Sequence, residues 1–269
     1  MVKKGQPTVG SQDQLVGLTE ATDLLQKAIG ELDPNRRADI AKQALELSHN
    51  CIEAWLLLAQ DAADNFEESK EYLREAVAAG DRLFADHREE WKGEFGTLPE
   101  TRPYMQACSA YGQVLWEIGE RDEAVRVFSE TLELNRTDPQ GIRYILLKAM
   151  LDDHRFQDAY DLIESYEEEQ STVFLYGKLL AIFALQGDSL MSRSAFLAAR
   201  RHNVFVLDYL LQLRELPQTM PREATPGDES EAIRYTAVFR NSWEGVENAL
   251  AYVRSQKKLR QDRETRKKR

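Results

Sequence analysis

Cysteine and histidine are scarce: 269 residues hold only two of the first, Cys51 and Cys108, and four of the second. Two cysteines supply no disulfide framework and fit a reducing compartment. No apolar run reaches the roughly 18 to 20 residues that a membrane span needs. The opening "MVKKGQPTVGSQDQ" lacks the hydrophobic centre of a signal peptide. These absences lead to the expectation of a cytoplasmic protein with no membrane partner. Alternating runs of Val, Ile and Thr bounded by turn residues, the usual mark of strands, are nearly missing. So are the glycine loops that cradle phosphates, Gly-x-Gly-x-x-Gly and Gly-x4-Gly-Lys-Ser/Thr, and the Gly-x-Ser-x-Gly elbow of serine hydrolases.

What is present is helical. Ala, Leu, Glu, Arg, Lys and Gln dominate, and 42% apolar with 30% charged residues describes a folded chain. The net charge of -11 is unevenly spread. The last thirteen residues, "KKLRQDRETRKKR", carry eight basic and two acidic side chains, so they stand at +6 and the remainder at -17. An acidic body repels phosphate backbones, which leaves nucleic acid as a partner only for the tail: Lys257, Lys258, Arg260, Arg263, Arg266, Lys267, Lys268 and Arg269. A basic C-terminus is equally well explained as a solvated helix end.

The segment "YMQACSAYGQVLWEIGERDEAVRVFSETLELN" reads as a helical hairpin. Tyr111 and Gly112 form a small-residue contact in its first helix, Gly119 marks the turn, and Ala124, Phe128 and Thr131 line the second. The phrase recurs. Ala159 stands 35 residues after Ala124 with Ile163 in the large position, and Ser192 lies 33 residues further on with Phe196 and Ala199. Upstream, Ser69, Leu73 and Ala76 follow Trp55 and Ala59 across a shorter turn, and a weaker first unit carries Ala41 and Ala44. Two helices approach closely only where side chains are small, and the bulky residue between them fills the adjoining hole. One interval is long: Ser69 to Ala124 spans 55 residues, so 81–103 is read as an insertion, helical at first and then a loop rich in Gly and Pro.

This pattern resembles the tetratricopeptide repeat. The resemblance implies an all-α fold, a tetratricopeptide-type α-solenoid of antiparallel helical hairpins stacked in a right-handed superhelix. Residues 15–203 form the array, 1–14 are expected to be disordered, and 257–269 form the basic tail. Residues 204–256 supply a connector and a capping hairpin. Pro217, Pro221 and Pro226 make the connector irregular. Asp228 followed by Glu231 is a capping-box pattern that opens the next helix, and the hairpin is expected to break at Asn241 to Trp243. The stretches "EAVAAGD", "GERDEAVRV" and "YLLQLRELP" with "PGDESEAIRYTAVF" also resemble the suppression of tumorigenicity 7 family, over about Ala38 to Val253. No catalytic residues are carried over from it.

Isolated polar residues have bland readings. His49 with Cys51 sits in the turn "SHNC", with no second pair at finger-like spacing. His87 and Glu90 are three apart on a charged helix, and His154 beside Asp152 and Asp153 lies in an inter-helix turn. Both cysteines sit in apolar helical patterns, as small core residues do. The run Glu167 to Glu169 ends a helix in water or pairs with a partner. No enzyme, metal or cofactor is expected. In arrays of this class the first helices of the hairpins line a concave wall that holds peptides. Projecting the register places Gln60, Gln113, Trp116, Tyr144, Lys148 and Asp152 there. Clamping of a C-terminal carboxylate is disfavoured, because Leu56, Ser109 and Tyr144 occupy the slots where such repeats carry lysine. The expectation is therefore a non-catalytic scaffold or adaptor for a protein or peptide, with self-association possible. The alternative is a nucleic-acid- or ribosome-associated adaptor using the basic tail.

Overall fold

The structure is a computed structural model that describes residues 15–267, with side chains described as far as Arg260. The expectation for 1–14 falls outside the described residues. The described residues form thirteen α-helices and no β-strand beyond one antiparallel bridge between Glu94 and Asn135. Among them, no helix is long and apolar enough to cross a membrane.

The chain divides into two compact units, Met1–Arg143 and Tyr144–Arg269. The first contains α1 (Leu18–Leu25), α2 (Pro34–Leu47), α3 (Ile52–Asp61), α4 (Phe66–Phe84), α5 (Arg102–Glu117) and α6 (Arg121–Leu134), each packed on the next. Helix α7 (Ile142–Asp152) starts at the boundary. The second unit continues with α8 (Phe156–Glu164), α9 (Thr172–Gln186), α10 (Leu190–His202), α11 (Val206–Leu210), α12 (Glu229–Glu244) and α13 (Ala249–Lys267). There α8 packs on α9, α9 on α10, α11 on α12, and α12 back onto α9.

Local chemistry sets most of these boundaries. Asp33 caps α2 by accepting from the Asn35 N–H at 3.0 Å, with Pro34 in the first helical position, where its missing N–H costs nothing. Asn65 caps α4 through the Glu68 N–H at 3.0 Å. Ser189 and Ser192 cap α10 reciprocally, each hydroxyl answering the other's backbone N–H.

The repeated phrase has a repeated backbone. Gly119, His154 and Gly187 all take a positive φ, of 89°, 58° and 64°. Each stands five residues before the small residue of its second helix: Ala124, Ala159 and Ser192, all fully buried. Four residues further on, Phe128, Ile163 and Phe196 fill the core. The turn between α3 and α4, expected to be shorter, is longer: four residues, 62–65, against three in each of these hairpins, and none of the four takes a positive φ. In the α5–α6 hairpin a Cβ on Gly112 would stand 2.5 Å from the Phe128 ring, so only glycine admits that side chain.

The insertion is a structured plug. Helix α4 runs on to Phe84, and a short 3-10 turn, Ala85–His87, leads into the loop. Phe84, Trp91, Phe95 and Tyr104 then pack ring against ring with centroids 5.6 to 6.3 Å apart. The loop is pinned to the end of α6, where the Gly93 and Phe95 N–H groups donate to the Leu134 carbonyl and the Arg136 N–H donates to the Gly93 carbonyl.

The capping hairpin needs one correction. Asn241 to Trp243, expected to break it, lie inside α12, with Ser242 and Trp243 buried. The turn falls at Gly245 to Asn248, where Asn248 takes a φ of 62°. Burial of the Trp243 ring, with its Nε1–H donating to the Tyr235 hydroxyl at 2.8 Å, outweighs the weak helix propensity of Asn241 and Ser242.

Candidate functional site

In the first unit, Gln60 is exposed near the end of α3, and Gln113 is exposed on α5 with its amide donating to the Ser109 hydroxyl at 3.2 Å. Trp116 is half-buried, and the Arg121 guanidinium lies 5.0 Å from its ring centroid. The two amides can offer hydrogen bonds and the indole a flat apolar contact.

The second unit arranges its candidates differently. Tyr144 turns its ring edge-on to Phe174 at 5.7 Å, and its hydroxyl donates to Glu169 at 2.9 Å. Lys148 pairs with Asp152 one turn along α7 and lies 6.0 Å from the Phe239 ring centroid. The other Asp152 oxygen accepts from the Ser242 hydroxyl at 2.5 Å. Phe239 and Ser242 both belong to α12. Lys148 and Asp152, expected to face a ligand, are thus engaged by the chain's own α12.

The first residue of the basic tail is engaged as well. Lys257 is half-buried and ion-paired with Asp208 of α11, so its charge is already answered. Lys258 is exposed and Arg260 half-buried. The side chains of Arg263, Arg266, Lys267, Lys268 and Arg269 lie outside the described ones.

The isolated polar residues hold local positions. His49 joins α2 to α3 and accepts through its carbonyl from the Trp55 indole at 3.0 Å. His87 stacks on Trp91 at 4.3 Å. Cys51 and Cys108 are buried, and loss of solvent pushes their thiols up to about 11 and about 12. Among the described residues, no three His, Cys, Asp or Glu side chains are gathered as a metal would require.

Glu231, which the sequence marked only as half of a capping box, gathers several donors. Asp228 does cap α12, accepting from the Ser230 and Glu231 N–H groups at 2.8 and 3.2 Å. Glu231, however, does not return to the Asp228 N–H. Its carboxylate accepts from the Gly227 N–H at 2.7 Å, the Thr172 hydroxyl at 2.6 Å and N–H at 3.3 Å, and the Asn203 amide at 3.1 Å. One carboxylate thus ties together the start of α9, the end of α10, the connector and α12. Burial opposes its charge, yet donors from Thr172, Gly227 and Asn203 hold its carboxyl below the usual value.

The family model described as ST7 protein matches residues 11–96. The suppressor of tumorigenicity 7 protein-like sequences of Gallus gallus, Rattus norvegicus and Homo sapiens are each 23% identical to this chain, over 87%, 90% and 90% of its length. The aligned regions cover 46%, 48% and 47% of those proteins, so the chain spans about half the length of these curated relatives.

Proposed function

We propose that this chain belongs to the suppressor of tumorigenicity 7 family, is built on tetratricopeptide-type hairpins, and acts without catalysis as a scaffold for a protein or peptide. The observation that carries this reading is the recurrence of one backbone register. A turn residue of positive φ, a buried small residue five positions on and a buried large residue four positions after that occur in three successive hairpins. First-helix faces of repeated hairpins suit extended or helical segments better than small substrates. The family match and the related sequences support the same assignment.

The partner surface is assigned to the first unit, through Gln60, Gln113 and Trp116. In the second unit α12 already engages Lys148 and Asp152. The test is affinity capture with the intact chain and the variants Trp116→Ala, Gln113→Ala and Lys148→Ala, partners being identified by mass spectrometry. Trp116→Ala should lose the specific partners, while Lys148→Ala should keep them. Retention of every partner by Trp116→Ala would remove the surface assignment.

A further inference from the structure

Between α11 and α12 the chain runs without regular structure, and from Gln212 to Pro226 every residue except Leu216 and Pro221 is exposed. Thr225 is exposed there, immediately before Pro226. Of the eight prolines in the sequence only Pro226 follows a hydroxyl-bearing residue. A proline after the acceptor removes a backbone donor and biases that acceptor toward an extended conformation. Proline-directed kinases read both properties.

Thr225 is also coupled to the start of α12. Its N–H donates to the Ser230 hydroxyl at 3.0 Å, and its carbonyl accepts from the Asp228 N–H at 3.2 Å. The same Ser230 hydroxyl donates at 2.6 Å to the Asp228 carboxylate, the group that caps α12. Two residues beyond the acceptor, the Gly227 N–H donates to Glu231.

We propose that Thr225 is the phosphoacceptor of a proline-directed protein kinase, and that phosphorylation there uncaps α12. The γ-phosphoryl group of ATP is transferred to the Thr225 hydroxyl oxygen. The new oxygen–phosphorus bond replaces the bond to the bridging oxygen of ADP, the hydroxyl proton passes to the base of the kinase, and ADP leaves. The product carries roughly -1.5 to -2 charges at neutral pH where a neutral hydroxyl stood before. The dipole of α12 favours an anion at its N-terminus, but Asp228 already occupies that place. A second anion therefore repels the cap instead of supplying one. Displacing Asp228 frees the Ser230 and Glu231 N–H groups and loosens the contacts that Glu231 makes with α9 and α10.

The inference stands apart from the binding role above, and its readouts involve no partner. The intact chain is incubated with MgATP and a proline-directed protein kinase, followed by phosphosite mapping and amide hydrogen exchange. The expected result is a single phosphate on Thr225, abolished in Pro226→Ala, with exchange at Ser230 and Glu231 faster by roughly tenfold, as loss of one cap implies. Exchange within α6 should not change. If Pro226→Ala does not fold, Thr225→Val serves as the unmodifiable control. No incorporation into the intact chain, or incorporation elsewhere, overturns the site. Phosphate on Thr225 with unchanged exchange in the first turn of α12 overturns the uncapping.

Discussion

Gly119 and Gly30 both lie in turns, and in neither case would a Cβ meet another atom within 4 Å. They differ in backbone. Gly119 has a φ of 89°, whereas Gly30 does not adopt the left-handed region. Gly119→Ala should therefore cost about 1–2 kcal/mol in urea unfolding, the price of a left-handed L-residue. Gly30→Ala should be neutral or stabilising by up to about 1 kcal/mol, because it restricts the unfolded chain. Equal effects would show that the turn register does not depend on that conformation. The two thiols give a second residue-scale expectation. Pushed up to about 11 and about 12 by burial, Cys51 and Cys108 should react with a disulfide reagent at neutral pH only after denaturant is added. Rapid reaction of either in the native protein would contradict their core placement. Both roles were legible in the sequence, since a glycine at a hairpin turn and a cysteine in an apolar helical pattern express local needs.

At the scale of the element, α12 depends on polar contacts at one end and aromatic packing at the other. Glu231→Ala leaves buried donors from Thr172 and Asn203, and the half-buried Gly227 N–H, without an acceptor and should cost about 1–3 kcal/mol. The pH dependence follows from its lowered carboxyl pKa. Such a group contributes stability above its unfolded value, about 4.3, and loses that contribution as pH falls through its lower folded value. The stability difference between the wild type and Glu231→Gln, measured by urea unfolding, should be large at pH 7 and shrink below about pH 4. A difference that stayed constant from pH 7 to pH 3 would show that the ionised form is not what the site requires. In the α5–α6 hairpin, Gly112→Ala drives a methyl group into the Phe128 ring and should cost about 1–3 kcal/mol by overpacking. The Gly112 contact could be read from its place in the repeated phrase. Glu231 could be read only as part of a cap, because its partners Thr172 and Asn203 lie 59 and 28 residues away.

For the whole molecule the governing facts are charge asymmetry and partial coverage of its relatives. An acidic remainder at -17 against a tail at +6 means that any retention on heparin resides in the tail. Lys257→Ala should leave that retention unchanged, because Asp208 already neutralises Lys257, whereas Lys258→Ala should reduce it. The chain spans about half of the curated relatives it matches, so the scaffold role proposed above concerns this helical portion.

The sequence by itself determined the helical class and the recurrence of small and large residues along it. Those depend on neighbours a few residues apart: small against large side chains, turns of positive φ, caps. Only the tertiary structure decided what covers the polar face of α7, why Asn241 to Trp243 stay helical, and which groups meet at Glu231. The contact between Asp152 and Ser242 joins residues 90 positions apart. Periodicity records that a face is covered, but the identity of its cover is fixed when distant segments compete for the same surface and the best-satisfied pairing wins.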